Sequence, residues 1–101
     1  IQDSKWKVKK ILVNPFQSLS LQMHEYRAEH WIVLKGKATV EINGKISYLI
    51  ENQSTYIPLK SKHRISNNNS ISLELIEVQC GKSVEESDII RFEDKYGRLN
   101  T

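Results

Sequence analysis

Asn43-Gly44 is the dipeptide that most constrains this chain. It is the strongest short-range signal for a two-residue hairpin turn, because both residues tolerate the left-handed backbone that the turn demands. The runs on either side, Ala38 to Ile42 and Ile46 to Ile50, are β-prone and would fold back on one another. The same rhythm of short β-prone run and turn signal extends in both directions. Trp6 to Val13 is β-rich, with Lys9-Lys10 shifting its alternation and marking a candidate bulge, and Asn14-Pro15 breaks it. Ser18 to Tyr26 sets Leu19, Leu21 and Met23 on one face and Ser18, Ser20, Gln22 and His24 on the other. Such a polar stripe either faces water or lines a wet cavity. Trp31 to Leu34, Ser54 to Ile57 and His63 to Ser66 follow, separated by Lys35-Gly36-Lys37, Glu51-Asn52 and Pro58. After the polar loop Asn67 to Ser70, the run Ile71 to Cys80 holds Ile71, Leu73 and Leu75 in one phase and Ile76 and Val78 in the other. About eight short strands at near-regular spacing predict an all-β sandwich or barrel, the double-sheet jelly roll among them. The stretch from Glu85 to Asp94 is charged with a few apolar anchors, and reads as a short helical turn or an extended strap.

The 101 residues suit one compact domain with a single core. A composition of 39% hydrophobic and 27% charged residues argues against disorder. No run reaches the length of a membrane span, and the first residues lack the apolar core of a secretory signal. They also lack an initiator Met, which points to a chain cut from something longer. The lone Cys80 has no internal disulfide partner, so a reducing cytoplasm is expected. The net charge of +3 raises the question of nucleic acid, but the lysines are scattered and interleaved with acids from Glu74 onward. A solvated surface accounts for them, and a phosphate-bearing small molecule would also welcome the bias.

Chemistry concentrates between Gln22 and Trp31. Gln22 and His24 are two residues apart, so on an extended strand both side chains share a face. A turn at Tyr26 to Ala28 would bring Glu29 back to that face, and His63 would arrive from another strand. Two imidazoles, a carboxylate and an amide oxygen form a mixed nitrogen and oxygen set. It suits a borderline or harder divalent ion with positions left open for water or substrate.

These residues also carry a resemblance. Gln22 to Gly36 resembles the first motif of the cupins, with Gln22 in place of its first His. Asn52 through Pro58 and His63 to Asn67 resemble the second, with Asn52 and Lys60 in place of two glycines. The strings Leu19 to His24, Arg27 to Trp31, Asn52 to Pro58, Ile76 to Gln79, Asp88 to Arg91 and Glu93 to Arg98 are similar to the cupin domain of type II phosphomannose isomerases. Departures are Phe16 where Pro-Gly is usual, Ser83-Val84 where an aromatic and Leu are usual, and Cys80 where a small hydroxyl residue is usual.

The resemblance implies a cupin double-stranded β-helix (jelly roll) over residues 1–101, with a short charged C-terminal strap. It implies isomerisation between mannose 6-phosphate and fructose 6-phosphate, within GDP-mannose biosynthesis. In that family the domain usually follows a mannose-1-phosphate guanylyltransferase domain. Gln22, His24, Glu29 and His63 would hold one divalent ion, zinc first, with manganese, cobalt, nickel or iron also chemically suited. An aldose–ketose shift needs a base, for which His30 and Glu25 are candidates, with Arg27 beside them. It also needs a cation for the phosphate, for which Lys60, Arg64 and Arg98 are candidates. The plainer readings stay open: His30 hydrogen-bonded behind the site, Arg27 paired with Glu25 or Glu29, Trp31 and Tyr56 as packing residues, Cys80 as a small buried hydrophobe. A non-catalytic cupin module binding a sugar phosphate or sugar nucleotide is the alternative. The expected partners are a sugar phosphate and a second copy of the chain, joined through an edge such as Trp6 to Val13, with no nucleic acid or membrane.

Overall fold

Nine strands form in the computed structural model, which describes residues 3–93. They are β1 (Trp6–Val13), β2 (Leu21–Met23), β3 (Arg27–Lys35), β4 (Ala38–Ile42), β5 (Lys45–Leu49), β6 (Ser54–Ile57), β7 (His63–Ser66), β8 (Leu73–Gly81) and β9 (Ile90–Glu93). Two antiparallel sheets result, one ordered β1-β8-β3-β6 and the other β5-β4-β7-β2-β9. Asn43 and Gly44 turn β4 into β5 with positive φ at both residues, 49° and 83°, the backbone that turn type requires. Among the described residues, no helix is long and apolar enough to cross a membrane.

Period-two alternation then sorts each strand into an inner and an outer row. On β3, Arg27, Glu29, Trp31 and Val33 are buried, while His30, Ile32 and Leu34 are exposed. On β8 the inner row is Leu73, Leu75, Glu77 and Gln79. The two rows meet in register, Val33 opposite Leu75, Trp31 opposite Glu77 and Glu29 opposite Gln79. The interior therefore changes character along its length. At one end Val13, Val33, Val40, Ile65, Leu73 and Leu75 form a closed apolar core, each such side chain contributing roughly 1.5–3 kcal/mol by leaving water. At the other end the inward positions are polar or charged.

Five sequence expectations change. The strand predicted over Ser18 to Tyr26 shrinks to Leu21–Met23, with Ser18 making an isolated bridge to Ser66. Strands β2 and β3 lie in different sheets, and Arg27 already belongs to β3. The turn between them is thus a corner from sheet to sheet, earlier than Tyr26 to Ala28. No bulge forms at Lys9-Lys10, since β1 pairs β8 residue for residue from Trp6 opposite Cys80 to Val13 opposite Leu73. Lys9 points inward and Lys10 outward to Glu74, 3.0 Å away. Nor does β8 change phase: Ile76 and Val78 lie on the outer row, and polar Glu77 and Gln79 continue the inner one. Cys80, expected as a buried hydrophobe, is exposed for the same reason.

Gly81 closes the β8–β3 pair at the corner. A Cβ there would stand 2.7 Å from the Arg27 Cα, so only glycine fits without moving β3. Three residues at which the cupin resemblance leads one to look for glycine, Phe16, Asn52 and Lys60, adopt left-handed φ of 59°, 70° and 61°. That conformation costs a residue with a Cβ roughly 1–2 kcal/mol, and glycine's extra unfolded-state entropy returns only part of it. Phe16 is 66% exposed, so its truncation gives up little burial. Phe16→Gly should therefore raise stability by about 0.5 kcal/mol in urea denaturation; a loss of stability would show that the Phe16 side chain contributes more than its backbone strain costs.

Candidate metal centre

His24 follows β2 and His63 opens β7, and each ring is oriented by a backbone carbonyl. His24 Nδ1 lies 2.6 Å from the Asp88 carbonyl oxygen and His63 Nδ1 lies 3.0 Å from that of Ser61. A carbonyl only accepts, so Nδ1 carries the proton in both rings and each Nε2 keeps its lone pair. Both Nε2 atoms turn toward Glu29: His24 Nε2 is 3.2 Å from Oε2 and His63 Nε2 is 3.6 Å from Oε1. The rings are 5.0 Å apart between centroids. One donor atom from each of the three residues falls within 4.8 Å of the others, and all three are buried. Imidazoles locked in the Nδ1–H tautomer, aimed at one carboxylate, are the arrangement that metal-binding histidines require.

Glu29 is 1% exposed and richly bonded. Arg27 Nε donates to Oε2 at 3.0 Å and Trp31 Nε1 donates to Oε1 at 3.2 Å. Burial alone would raise the Glu29 carboxyl, but hydrogen bonding from His24 and Glu77, with the positive charge the two rings carry when Nε2 is also protonated, holds it well below the usual range; a divalent ion would take the place of those Nε2 protons. Burial lowers His63, which favours the neutral ring a metal needs. Arg27, 5% exposed, also donates to the Glu85 carbonyl at 3.2 Å, and its Nη2 lies 3.3 Å from His24 Nε2. An ion taking that lone pair would leave Arg27 its bonds to Glu29 and Glu85, so the donor set fits a divalent cation.

The surroundings form a cavity of about 200 Å³ lined in part by Gln22, Arg27, Glu29, Trp31, His63 and Glu77. Gln22 sits directly opposite His63 in the β2–β7 ladder, and its amide nitrogen donates to Ser20 Oγ at 3.0 Å. Its carbonyl oxygen is then the atom it can offer. Glu77 receives Trp31 Nε1 at 3.0 Å and Gln79 Nε2 at 2.8 Å. Burial first, then the charge of Glu29, pushes the Glu77 carboxyl up to about 7.

A strap from Gly81 to β9 supports this end. Lys7 and Lys9 ion-pair with Glu86 at 3.0 and 2.9 Å. The Asp88 carboxylate accepts the backbone N–H groups of Glu25 and Tyr26 at 2.8 and 2.9 Å, while its carbonyl orients His24.

Other candidates fall elsewhere. His30 lies on the outer face of β3, exposed, its ring 4.8 Å from that of Tyr56, because alternation turns it away from Glu29. Glu25 is half-buried at the corner, 4.0 Å from the exposed Lys60 Nζ, and neither lines the cavity with Glu29 and His63. Arg64 borders the cavity, but it follows His63 on β7 and approaches Glu41 at 3.9 Å on the opposite face. Arg98 lies outside the described residues. Sequence reasoning passed over Trp31 as a donor and assigned no role to Glu77, Gln79, Asp88 or Arg91. The missed signal was that β8 keeps one alternation, which makes Glu77 and Gln79 inward.

A buried His–Glu–His cluster at the polar end of two jelly-roll sheets defines a cupin with a candidate metal centre. Solved structures share the fold: a double-stranded β-helix protein from Klebsiella pneumoniae aligns with TM-score 0.80 at 16% identity over 93% of this chain and 80% of that one. The cupin domain of Schizosaccharomyces pombe Cnp3 aligns with TM-score 0.77 at 11% identity over 80% of this chain and 59% of that one. The chain belongs to the family described as mannose-6-phosphate isomerase C-terminal, whose profile matches residues 1–94. It is 52% identical over 95 residues to mannose-1-phosphate guanylyltransferase ManC of Salmonella typhimurium, covering 94% of this chain and 20% of that one. It is 55% identical over 94 residues to alginate biosynthesis protein AlgA of Pseudomonas aeruginosa, covering 93% and 20%. The chain thus spans about a fifth of the length of these relatives.

Two expectations follow. Asp88→Ala loosens the strap that orients His24, and zinc affinity measured by calorimetry should fall about tenfold; unchanged affinity would show that His24 needs no such support. Lys9 and Lys7 hold the Glu86 carboxyl down to about 2. Its contribution to stability is therefore present above the ordinary carboxylate range and is lost as pH falls through about 2. Glu86→Gln should flatten the fall of Tm between about pH 5 and pH 2, a small effect because the group is largely exposed. An identical acid limb in wild type and variant would contradict it.

Proposed function

We propose that this chain is a metal-dependent sugar-phosphate isomerase domain that interconverts mannose 6-phosphate and fructose 6-phosphate. The observation that carries the reading is the pair of Nε2 lone pairs aimed at Glu29, which lines a cavity with His63, in a chain of the mannose-6-phosphate isomerase C-terminal family. His24, Glu29 and His63, with Gln22 beside them, would hold one divalent ion, zinc first. A bound ion would supply Lewis-acid polarisation where charge develops on the sugar's C1 and C2 oxygens. Trp31 and Arg27 keep the Glu29 carboxylate in place, and Asp88 and Ser61 keep the imidazole tautomers. The base role assigned to His30 or Glu25 belongs instead to a group that lines the cavity. Glu77 lines it, held by Trp31 and Gln79.

Turnover of mannose 6-phosphate, read in a coupled assay with each divalent metal added in turn, tests this. Metal-dependent activity that His63→Ala abolishes, and that Glu77→Gln lowers in kcat with metal content retained, is the expected result. A folded, metal-loaded chain without turnover would overturn it. That outcome would favour a non-catalytic sugar-phosphate-binding module. The observation on that side is that the ManC relative is named for guanylyl transfer and contains this region as a fifth of its length.

The reading includes a homodimer and a cytoplasmic setting. Among the described residues strand β1 is an edge of its sheet, a row along which a second copy would pair. Light scattering should give about twice the chain mass of 11.8 kDa, and a clean monomer would contradict the dimer.

A further inference from the structure

We infer that Arg91 takes the phosphate of the sugar-phosphate substrate; this rests on the isomerase reading above and adds the residue that confers selectivity for a phosphorylated sugar. In the five-stranded sheet Gln22 pairs with His63 on one side and with Arg91 on the other. The three residues form one row across β7, β2 and β9, so their side chains leave the sheet on the same face. That is the face on which His63 meets Glu29, and Arg91 lines the same cavity. Two strand spacings, about 10 Å, separate its backbone from that of His63. An extended hexose 6-phosphate needs such a separation between the group binding its phosphate and the groups acting at C1 and C2.

The bonding of the neighbouring cations singles out Arg91. Arg27 is committed to Glu29 and the Glu85 carbonyl, and Lys7 and Lys9 are committed to Glu86. Lys60 stands outside near Glu25. Arg91 Nε is buried and has no hydrogen-bond partner among the described residues. A buried guanidinium donor left without an acceptor is costly, and a phosphate accepts from Nε and a terminal nitrogen together. The strap contributes here as well. Asp88, three residues earlier, is tied to the Glu25–Tyr26 corner, which fixes where β9 begins beside β2.

Calorimetric titration of the 101-residue chain with fructose 6-phosphate and with fructose tests the assignment, alongside metal analysis and circular dichroism. Wild type should bind the phosphorylated sugar at least about tenfold more tightly. Arg91→Ala should erase that preference while keeping metal content and fold. Arg91→Lys, which keeps the charge but loses the fork, should retain only part of it. In turnover, Arg91→Ala should raise KM with kcat little changed. Equal affinity for the two sugars in wild type, or an undiminished preference in folded Arg91→Ala, would overturn the inference. Preference lost on Arg91→Ala in a chain without turnover would leave the phosphate assignment standing and remove the isomerase reading. Turnover with a KM indifferent to Arg91 would do the reverse.

Discussion

A carboxylate only 1% exposed keeps its charge only when its surroundings replace the water it has lost. At Glu29 a guanidinium and an indole donate to it, and two imidazole nitrogens within 3.6 Å are placed to share a cation with it. These partners come from four places in the chain, the end of β2, the start of β3, its middle, and β7. The charge therefore fixes how the two sheets are joined as well as what the site can bind. Removing it would leave Arg27 buried without its anion, a loss of the kind that costs about 3–5 kcal/mol.

The division of the interior follows from alternation alone. One inner row on β3 runs Arg27, Glu29, Trp31, Val33, and the facing row on β8 runs Gln79, Glu77, Leu75. The apolar half packs and supplies stability, and the polar half stays open as a cavity on that rigid base. Trp31 stands at the boundary, packed in the core and donating to both Glu29 and Glu77. The strap after β8 completes the polar end, tying Lys7 and Lys9 of β1 to the corner beside His24. Function and fold thus share the same few contacts.

Much of this is legible in the residues, and the parts that are not have physical reasons. The Asn43-Gly44 hairpin, the β3 alternation and the meeting of His24, Glu29 and His63 all rest on local geometry or on a strong motif. For His30 two readings stood open, a base or a ring behind the site, and it lies on the outer face of β3 because the alternation that turns Glu29 inward turns it outward. Glu77 and Gln79 were overlooked because hydrophobicity suggested that Ile76 and Val78 begin a new inward phase. Without a bulge, a strand cannot change phase, and a polar inner row is what a wet cavity demands. The strap was expected from its charge and apolar anchors, but the role of Asp88 within it depends on a long-range docking that no periodicity announces. Arg91 became visible only through the β2–β9 register.

The most direct test of the account is a crystal of the zinc-soaked chain, with an anomalous-difference map collected at the zinc edge. A single peak among His24 Nε2, the Glu29 carboxylate and His63 Nε2, at about 2.0–2.2 Å from each, is the predicted result. No peak there, with Arg27 still beside His24 Nε2 and Glu29, would mean that the cluster is a buried ion-pair network and that the metal-dependent account is wrong.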